Sequence, residues 1–157
     1  MDSPESIMRY VIKRSVENVE RGNGGPFAAA VLKDGKIVAE GTNLVTSLND
    51  PTAHAEITAI RNACRELGTF QLLDCEIYTS CEPCPMCLGA IYWARPARIY
   101  YGNTKADAAR IGFDDSFIYQ ELDTPHRQRK IPMIQMLPNE ARVGFDVWEQ
   151  KEDKIPY

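Results

Sequence analysis

Long apolar runs and basic charge are both scarce in this 157-residue sequence. No stretch supplies the about 20 consecutive apolar residues that a membrane-crossing helix needs. Lys and Arg number 18 against 22 Asp and Glu, a formal net charge of -4, so no global positive field gathers the phosphates of a nucleic acid. No membrane partner is expected, nucleic acid is disfavoured, and a small neutral substrate fits the balance better. Met1 to Met8 carries Asp2 and Glu5 where a secretory leader is basic and then apolar, so a cytoplasmic location is expected. Internal repeats and low-complexity linkers are lacking too.

The five cysteines form an odd set, and three of them crowd into Cys81-Glu82-Pro83-Cys84-Pro85-Met86-Cys87. That spacing suits metal binding in a reducing compartment better than a disulfide framework. Cys64 and Cys75 read as small core residues. With 44% hydrophobic residues, a chain of this length can bury a core without covalent staples, so residues 1–157 read as one domain.

Ser3-Pro4 reads as an N-cap with proline at the first helical position, and Ile7, Val11, Ile12, Val16 and Val19 follow at helical spacing as far as Gly22. Phe27 to Leu32 and Lys36 to Gly41 flank Asp34-Gly35, a two-residue hairpin signal. Asp50-Pro51 is a second cap-and-proline pair, predicting a helix with Ala53, Ile57, Ile60, Cys64 and Leu67 on one face and Gly68 beyond its end. Strand over 76–79, helix over 84–94, strand over 98–101 and helix over 104–111 follow, then a strand over 131–137 and a helix over 139–151. Alternation of this kind predicts a layered α/β domain.

Catalytic zinc sites generally have three protein ligands and one open position, and three good ligands are present: His54, Cys84 and Cys87. Cys84 and Cys87 lie three apart at a helix start, where they share one face and where the positive helix end favours thiolate. His54 and Glu56, two apart, would diverge within a helix, so they converge on one metal only if it lies beyond the helix end. Zinc makes hydroxide available from bound water near neutral pH, and an unligated Glu56 nearby can take and deliver protons.

Two rival readings of the cysteine run stay open. Cys81 as a fourth ligand would close the site and make it structural, and Cys81, Cys84 and Cys87 overlap part of an iron–sulfur pattern, although its fourth cysteine and following proline are absent.

His54-Ala55-Glu56 with Pro83-Cys84-Pro85-Met86-Cys87 matches the zinc deaminase signature H-x-E followed by P-C-x-x-C. Together with Gly24-Gly25-Pro26-Phe27, Asn49-Asp50-Pro51-Thr52 and Gly112-Phe113-Asp114-Asp115-Ser116-Phe117, it makes the chain resemble bacterial guanine deaminases of the zinc-dependent cytidine and deoxycytidylate deaminase superfamily. The resemblance implies a three-layer α/β/α cytidine deaminase-like fold with a mixed central sheet flanked by helices. It also implies one Zn²⁺ per chain and hydrolysis of guanine to xanthine and ammonia. Asn43, Phe27, Ala55 and Tyr157 are then substrate-binding, and Glu56 and Asp115 catalytic, with Asp115 accepting from the N1–H and 2-amino donors of guanine. Phe27 also alternates properly as a core strand residue, a turn role remains open for Asn43, and a cap or loop role for Asp115. A homodimer follows from the same resemblance, in which a segment of about 122–157 crosses to the partner and brings Tyr157 over its pocket.

A guanosine or other purine deaminase, a tRNA adenosine deaminase and a zinc-stabilised binding module without catalysis are the alternatives. The second draws on the basic run His126-Arg127-Gln128-Arg129-Lys130, otherwise a solvated loop.

Overall fold

A computed structural model describes residues 3–157. Met1 and Asp2, part of the N-terminal stretch discussed above, lie outside the described residues. The chain divides into two compact units, one ending at Asp115 and the other Ser116–Tyr157.

In the first unit, helix α1 (Pro4–Glu20) starts as expected, with the Ser3 hydroxyl accepting the Ser6 N–H at 3.1 Å and Pro4 opening the first turn. Strands β1 (Ala28–Lys33) and β2 (Lys36–Thr42) pair antiparallel. Asp34 and Gly35 between them both take positive φ (52° and 74°), the twist that suits a two-residue hairpin. A short helix α2 (Val45–Leu48), which the sequence pattern does not signal, precedes helix α3 (Ala55–Leu67), closed by Gly68 at φ 64°. Strand β3 (Cys75–Cys81), helix α4 (Pro85–Ala94), strand β4 (Arg98–Asn103) and helix α5 (Lys105–Arg110) complete the unit.

The sheet order is β2-β1-β3-β4, with β1 antiparallel to both neighbours and β3 parallel to β4. It is therefore mixed, and α4 forms the crossover that two parallel strands require. Every residue of β1 except Lys33 is buried, because both faces of the strand are covered. On one face Ala28, Ala30, Leu32 and Tyr78 pack with Ile7 and Val11 of α1. On the other, Ala29, Val31 and Ile77 pack with Ala55, Ala59 and Ala63 of α3 and Ile91 and Ala94 of α4. The expected α/β/α layering is present.

Register within the sheet gathers chain ends on one edge of the layer. Ala28 pairs with Thr42, Ala29 with Thr79, and Cys81 with Asn103. Phe27, Asn43 and the Glu82–Cys84 connection, each just outside a strand, therefore emerge together at the start of α3 and α4.

Two expectations are corrected. Asp50-Pro51 does not open α3: the Asp50 carboxylate accepts the Thr52 N–H (2.9 Å) and hydroxyl (2.7 Å), a local turn that satisfies it, and the helix begins at Ala55. The strand expected over 131–137 is absent: the sheet of the described residues has four strands, none from this segment. Pro132 lacks an N–H and so removes a ladder donor from the segment, and a strand left unpaired leaves its backbone groups to solvent.

The second unit comprises helix α6 (Ser116–Leu122), a 3₁₀ turn (His126–Gln128) and helix α7 (Pro138–Gln150). Within it Arg129 donates to the carbonyls of Thr124 (2.9 Å) and Leu122 (3.3 Å), and the Lys130 N–H donates to Glu121 (2.9 Å). The basic run thus spends Arg129 on closing its own loop.

Gly41 sets how near α3 lies to β2, since a Cβ there would stand 2.5 Å from the Ala59 nitrogen and 2.6 Å from the Ala55 carbonyl oxygen. Gly41→Ala should cost at least about 1–3 kcal/mol in urea unfolding, because backbone rather than a flexible side chain must move. An unchanged unfolding midpoint would contradict that close approach.

Candidate metal centre

Helices α3 and α4 begin side by side on the same face of the sheet, and each is capped by a residue with ligand chemistry. His54 is the N-cap of α3 (φ -69°, ψ 158°) and Cys84 that of α4 (φ -66°, ψ 168°). Both backbones are extended at the cap, so the side chains project past the helix ends. Cys84 Sγ also receives the Cys87 N–H at 3.5 Å, which turns Cys87 on the first turn towards the same point.

The result is a compact triad. His54 Nδ1 lies 3.5 Å from Cys84 Sγ and 3.5 Å from Cys87 Sγ. A tetrahedral ion bonded at about 2.1 Å to nitrogen and 2.3 Å to sulfur separates the two by about 3.6 Å. The donors therefore stand almost at the spacing that zinc would impose. Among the described residues, His54, Cys84 and Cys87 are the one group of three or more His, Cys, Asp and Glu side chains whose donor atoms converge within 4.8 Å. Cys81 is outside the group: its sulfur is directed at the Thr104 carbonyl, 3.9 Å away, and burial pushes its thiol up to about 11. With Cys81 turned away, the group offers three donors, the number that leaves a fourth position open in catalytic zinc sites.

Electrostatics favour one thiolate before any metal arrives. The hydrogen bond from the Cys87 thiol, and then His54, holds Cys84 down at about 4, while Cys87 keeps its proton in the same hydrogen bond. The hydrogen bond to Cys84 in turn raises His54. An anionic sulfur beside the positive end of α4 is the sense of charge that a helix start stabilises.

Glu56, in the first turn of α3, is buried and hydrogen-bonded to Cys87. Burial, its largest influence, pushes the carboxyl above its usual range, and the Cys84 charge adds to this. A carboxyl so placed is suited to exchanging protons near neutral pH.

The other expected residues divide between the two units. Asn43 is buried, with its Oδ1 accepting the Val45 N–H at 3.2 Å and its N–H donating to the Phe27 carbonyl at 3.1 Å. Phe27 borders the core under α3 and meets Phe113 edge to face at 4.9 Å and 87°. Asp115 follows Phe113 by two residues; burial raises its carboxyl first, and the Cys84 charge reaches it as well. Ala55 packs its methyl in the core, leaving its first-turn amide as the group able to meet a ligand. Tyr157 belongs to the second unit and is exposed.

Three further residues have clear positional roles; Gly24 and Glu82 lie in the motif segments already quoted, and Asn18 does not. Asn18 on α1 is buried and donates to Gly25 and Asn43 carbonyls. Gly24 lies where a Cβ would meet the Asn43 oxygen at 2.2 Å. Glu82 joins the metal loop to α5, its carboxylate accepting the Lys105 N–H at 3.0 Å and its own N–H reaching Asn103 at 2.7 Å. A polar Asn18 on the buried stripe of Ile7 and Val11 is the one sequence signal that was available for that residue.

A mixed sheet in an α/β/α sandwich, with His and two Cys at paired helix starts and a buried glutamate between them, defines the zinc-dependent deaminase class. Residues 1–103 match the cytidine and deoxycytidylate deaminase zinc-binding region, and the chain belongs to that family. It is 54% identical over 153 residues to the guanine deaminase of Bacillus subtilis, covering 98% of each chain. The solved structure of a Bacillus subtilis guanine deaminase superposes with a TM-score of 0.97 at 52% identity, over 99% of both chains. A Nitrosomonas europaea guanine deaminase structure gives 0.70 at 38% identity, over 73% of this chain and 66% of that one. The tRNA-specific adenosine deaminase of Haemophilus influenzae is 37% identical over 117 residues, 71% of this chain and 67% of that protein.

Zinc loading must remove the Cys87 proton and any proton on His54, so it should release about one proton or more at neutral pH. Affinity should accordingly weaken as pH falls and protons compete for the thiolates and the imidazole. Calorimetry in buffers of different ionisation enthalpy counts those protons, and zero net release would contradict the charge state assigned to the triad.

Proposed function

We propose that this chain catalyses the hydrolytic deamination of guanine to xanthine and ammonia, with one zinc ion per chain held by His54, Cys84 and Cys87. The observation that carries the reading is the 3.5 Å spacing of those three donors next to a buried glutamate, with Asn43 and Asp115 placed at the same end of the fold. The near full-length relative at 54% identity supports guanine as the substrate.

When bound, zinc supplies a water made acidic enough to attack near neutral pH. Glu56 does the proton work: its carboxylate takes the proton that the attacking water loses as oxygen bonds to C2 of guanine. It then delivers that proton to a ring nitrogen, and the proton of the hydroxyl now on C2, passed by the same carboxylate to the exocyclic nitrogen, lets ammonia leave as the C2–N bond breaks and the C2 carbonyl forms. Burial keeps competing solvent away from this carboxyl and raises its affinity for the proton in transit.

Asp115 accepts from the N1–H and 2-amino donors of guanine. Asn43 spends its Oδ1 on Val45, which directs its amide donors to the acceptor edge of the purine. Phe27, braced by Phe113, offers an aromatic edge to the base.

We also propose a homodimer in which the segment of about 122–157, with Tyr157, is exchanged between copies. Ile131, Ile134, Val143 and Phe145 are all exposed, apolar side chains that a second copy would cover. The five cysteines are free thiols, which fits a cytoplasmic enzyme. No helix of the described residues is long and apolar enough to cross a membrane.

Ammonia release from guanine, guanosine, adenine, cytosine and cytidine, measured with zinc content, tests the reaction. Guanine should be turned over fastest, and a zinc-replete protein that releases ammonia from none of them refutes the proposal. Glu56→Gln should lose about 10²- to 10⁴-fold in kcat with zinc still bound. Full activity in that variant would assign the proton transfers elsewhere. Sedimentation should give twice the chain mass; a monomer that is fully active would exclude the exchange.

A further inference from the structure

We propose that Asn18 is a positioning residue for substrate recognition: a clamp on α1 that fixes Asn43 and the 22–27 loop relative to each other. It rests on the reading of Asn43 as a purine-binding residue. Asn18 is 2% exposed and lies near the C-terminal end of α1, where its Nδ2 donates to the Gly25 carbonyl at 2.8 Å and to the Asn43 carbonyl at 2.9 Å. Both partners are acceptors, so the amide can present only its nitrogen to them and its orientation is fixed by chemistry. Its backbone carbonyl takes the Asn23 N–H at 3.0 Å, tying the start of the same loop to the helix.

The Asn18 Oδ1 is buried with no hydrogen-bond partner among the described residues. The nitrogen end bridges two carbonyls from separate loops. Those carbonyls belong to the segments that lead into Phe27 and Asn43.

Asn43 is constrained on every backbone side. Its N–H is held by the Phe27 carbonyl at 3.1 Å, its C=O by Asn18, and its Oδ1 by the Val45 N–H. Gly24 closes the arrangement: a Cβ there would lie 2.2 Å from the Asn43 carbonyl oxygen and 3.0 Å from Oδ1. Asn18 therefore pulls on the oxygen that Gly24 makes room for. With its backbone carbonyl held by Asn18, its Oδ1 held by Val45 and the Gly24 backbone close to both oxygens, Asn43 has little freedom to shift. The nitrogen aimed at substrate is thereby set in place before substrate arrives, which lowers the ordering cost of binding.

Because contacts of this kind are made in ground state and transition state alike, their loss should appear in KM more than in kcat. Asn18→Asp keeps the volume and removes both donors, and Asn18→Ala removes the bridge without adding charge. Gly24→Ala pushes on the same oxygen from the opposite side. Each variant should raise KM for guanine about tenfold or more while kcat stays within about threefold and zinc content is unchanged. Combining Asn18→Ala with Gly24→Ala should give less than the product of the single effects, since both act through one carbonyl.

Crystal structures of Asn18→Asp and Asn18→Ala should show the Asn43 carboxamide displaced, a readout independent of which substrate is turned over. Folded, zinc-loaded Asn18 variants with wild-type KM and an unmoved Asn43 would overturn the clamp. A wild-type protein inactive on guanine would count against the functional reading alone, and the position of Asn43 in the variants would still decide the clamp.

Discussion

The first turn of a helix carries N–H groups with no partner inside the helix, and two such turns stand next to each other at one end of this sheet. Their caps are His54 and Cys84. Neither cap has the usual hydroxyl or carboxylate; one contributes an imidazole and the other a sulfur that accepts a weak 3.5 Å hydrogen bond. Both side chains are thus released from conventional capping and free to face each other. The positive ends of both helices bear on the same small volume, which makes negative sulfur there electrostatically acceptable. The low proton affinity of Cys84, set first by its hydrogen bond with Cys87, and the raised one of His54, set first by its hydrogen bond with Cys84, are the consequence of bringing the three side chains together.

Such a meeting of helix starts depends on how tightly the layers pack. Strand β1 presents Ala29 to α3, and α3 presents Ala55, Ala59 and Ala63 to the sheet. Small side chains on both surfaces bring helix and sheet close, and Gly41 removes even a methyl where the Ala55 carbonyl would meet it. A core of this kind stabilises less per residue than one built of leucine and phenylalanine. What it provides is position: with few rotamers to adjust, the backbone of α3 is set by contact with backbone of β2. The site inherits its precision from that contact, since His54 and Glu56 flank Ala55.

Much of this was legible in the chain itself, for reasons that differ by residue. Ser3-Pro4 and Asp34-Gly35 act through strictly local geometry and produce the expected cap and turn. The ligand spacing of Cys84 and Cys87 is also local, because one helical turn suffices to bring them together. Asp50-Pro51 carries the same signature as a helix start and yet forms a turn, because Thr52 offers the Asp50 carboxylate two nearer donors. The segment over 131–137 has apolar residues but joins no sheet among the described residues, and pairing is never a local property. Asn18 was invisible for a related reason: its partners lie 7 and 25 residues away.

Chemistry and specificity are carried by different kinds of structure. The proposed metal ligands and Glu56 sit on helix starts anchored in the core, whereas Asn43, Phe27 and Asp115 sit in the connections that follow β2, precede β1 and follow α5. A connection can be reshaped at modest cost to the core, but a helix start pressed against Gly41 cannot. It follows that the same zinc geometry tolerates different substrate loops, and that the metal site by itself identifies a reaction type rather than a base. In this chain the loops are less free than loops generally are: Glu82 links the metal connection to α5, Phe113 braces Phe27, and Asn18 holds Asn43 from below. Phe27 and Asn43, the residues proposed to meet the base, are therefore each held by a distinct short-range contact, one of packing and one of hydrogen bonding.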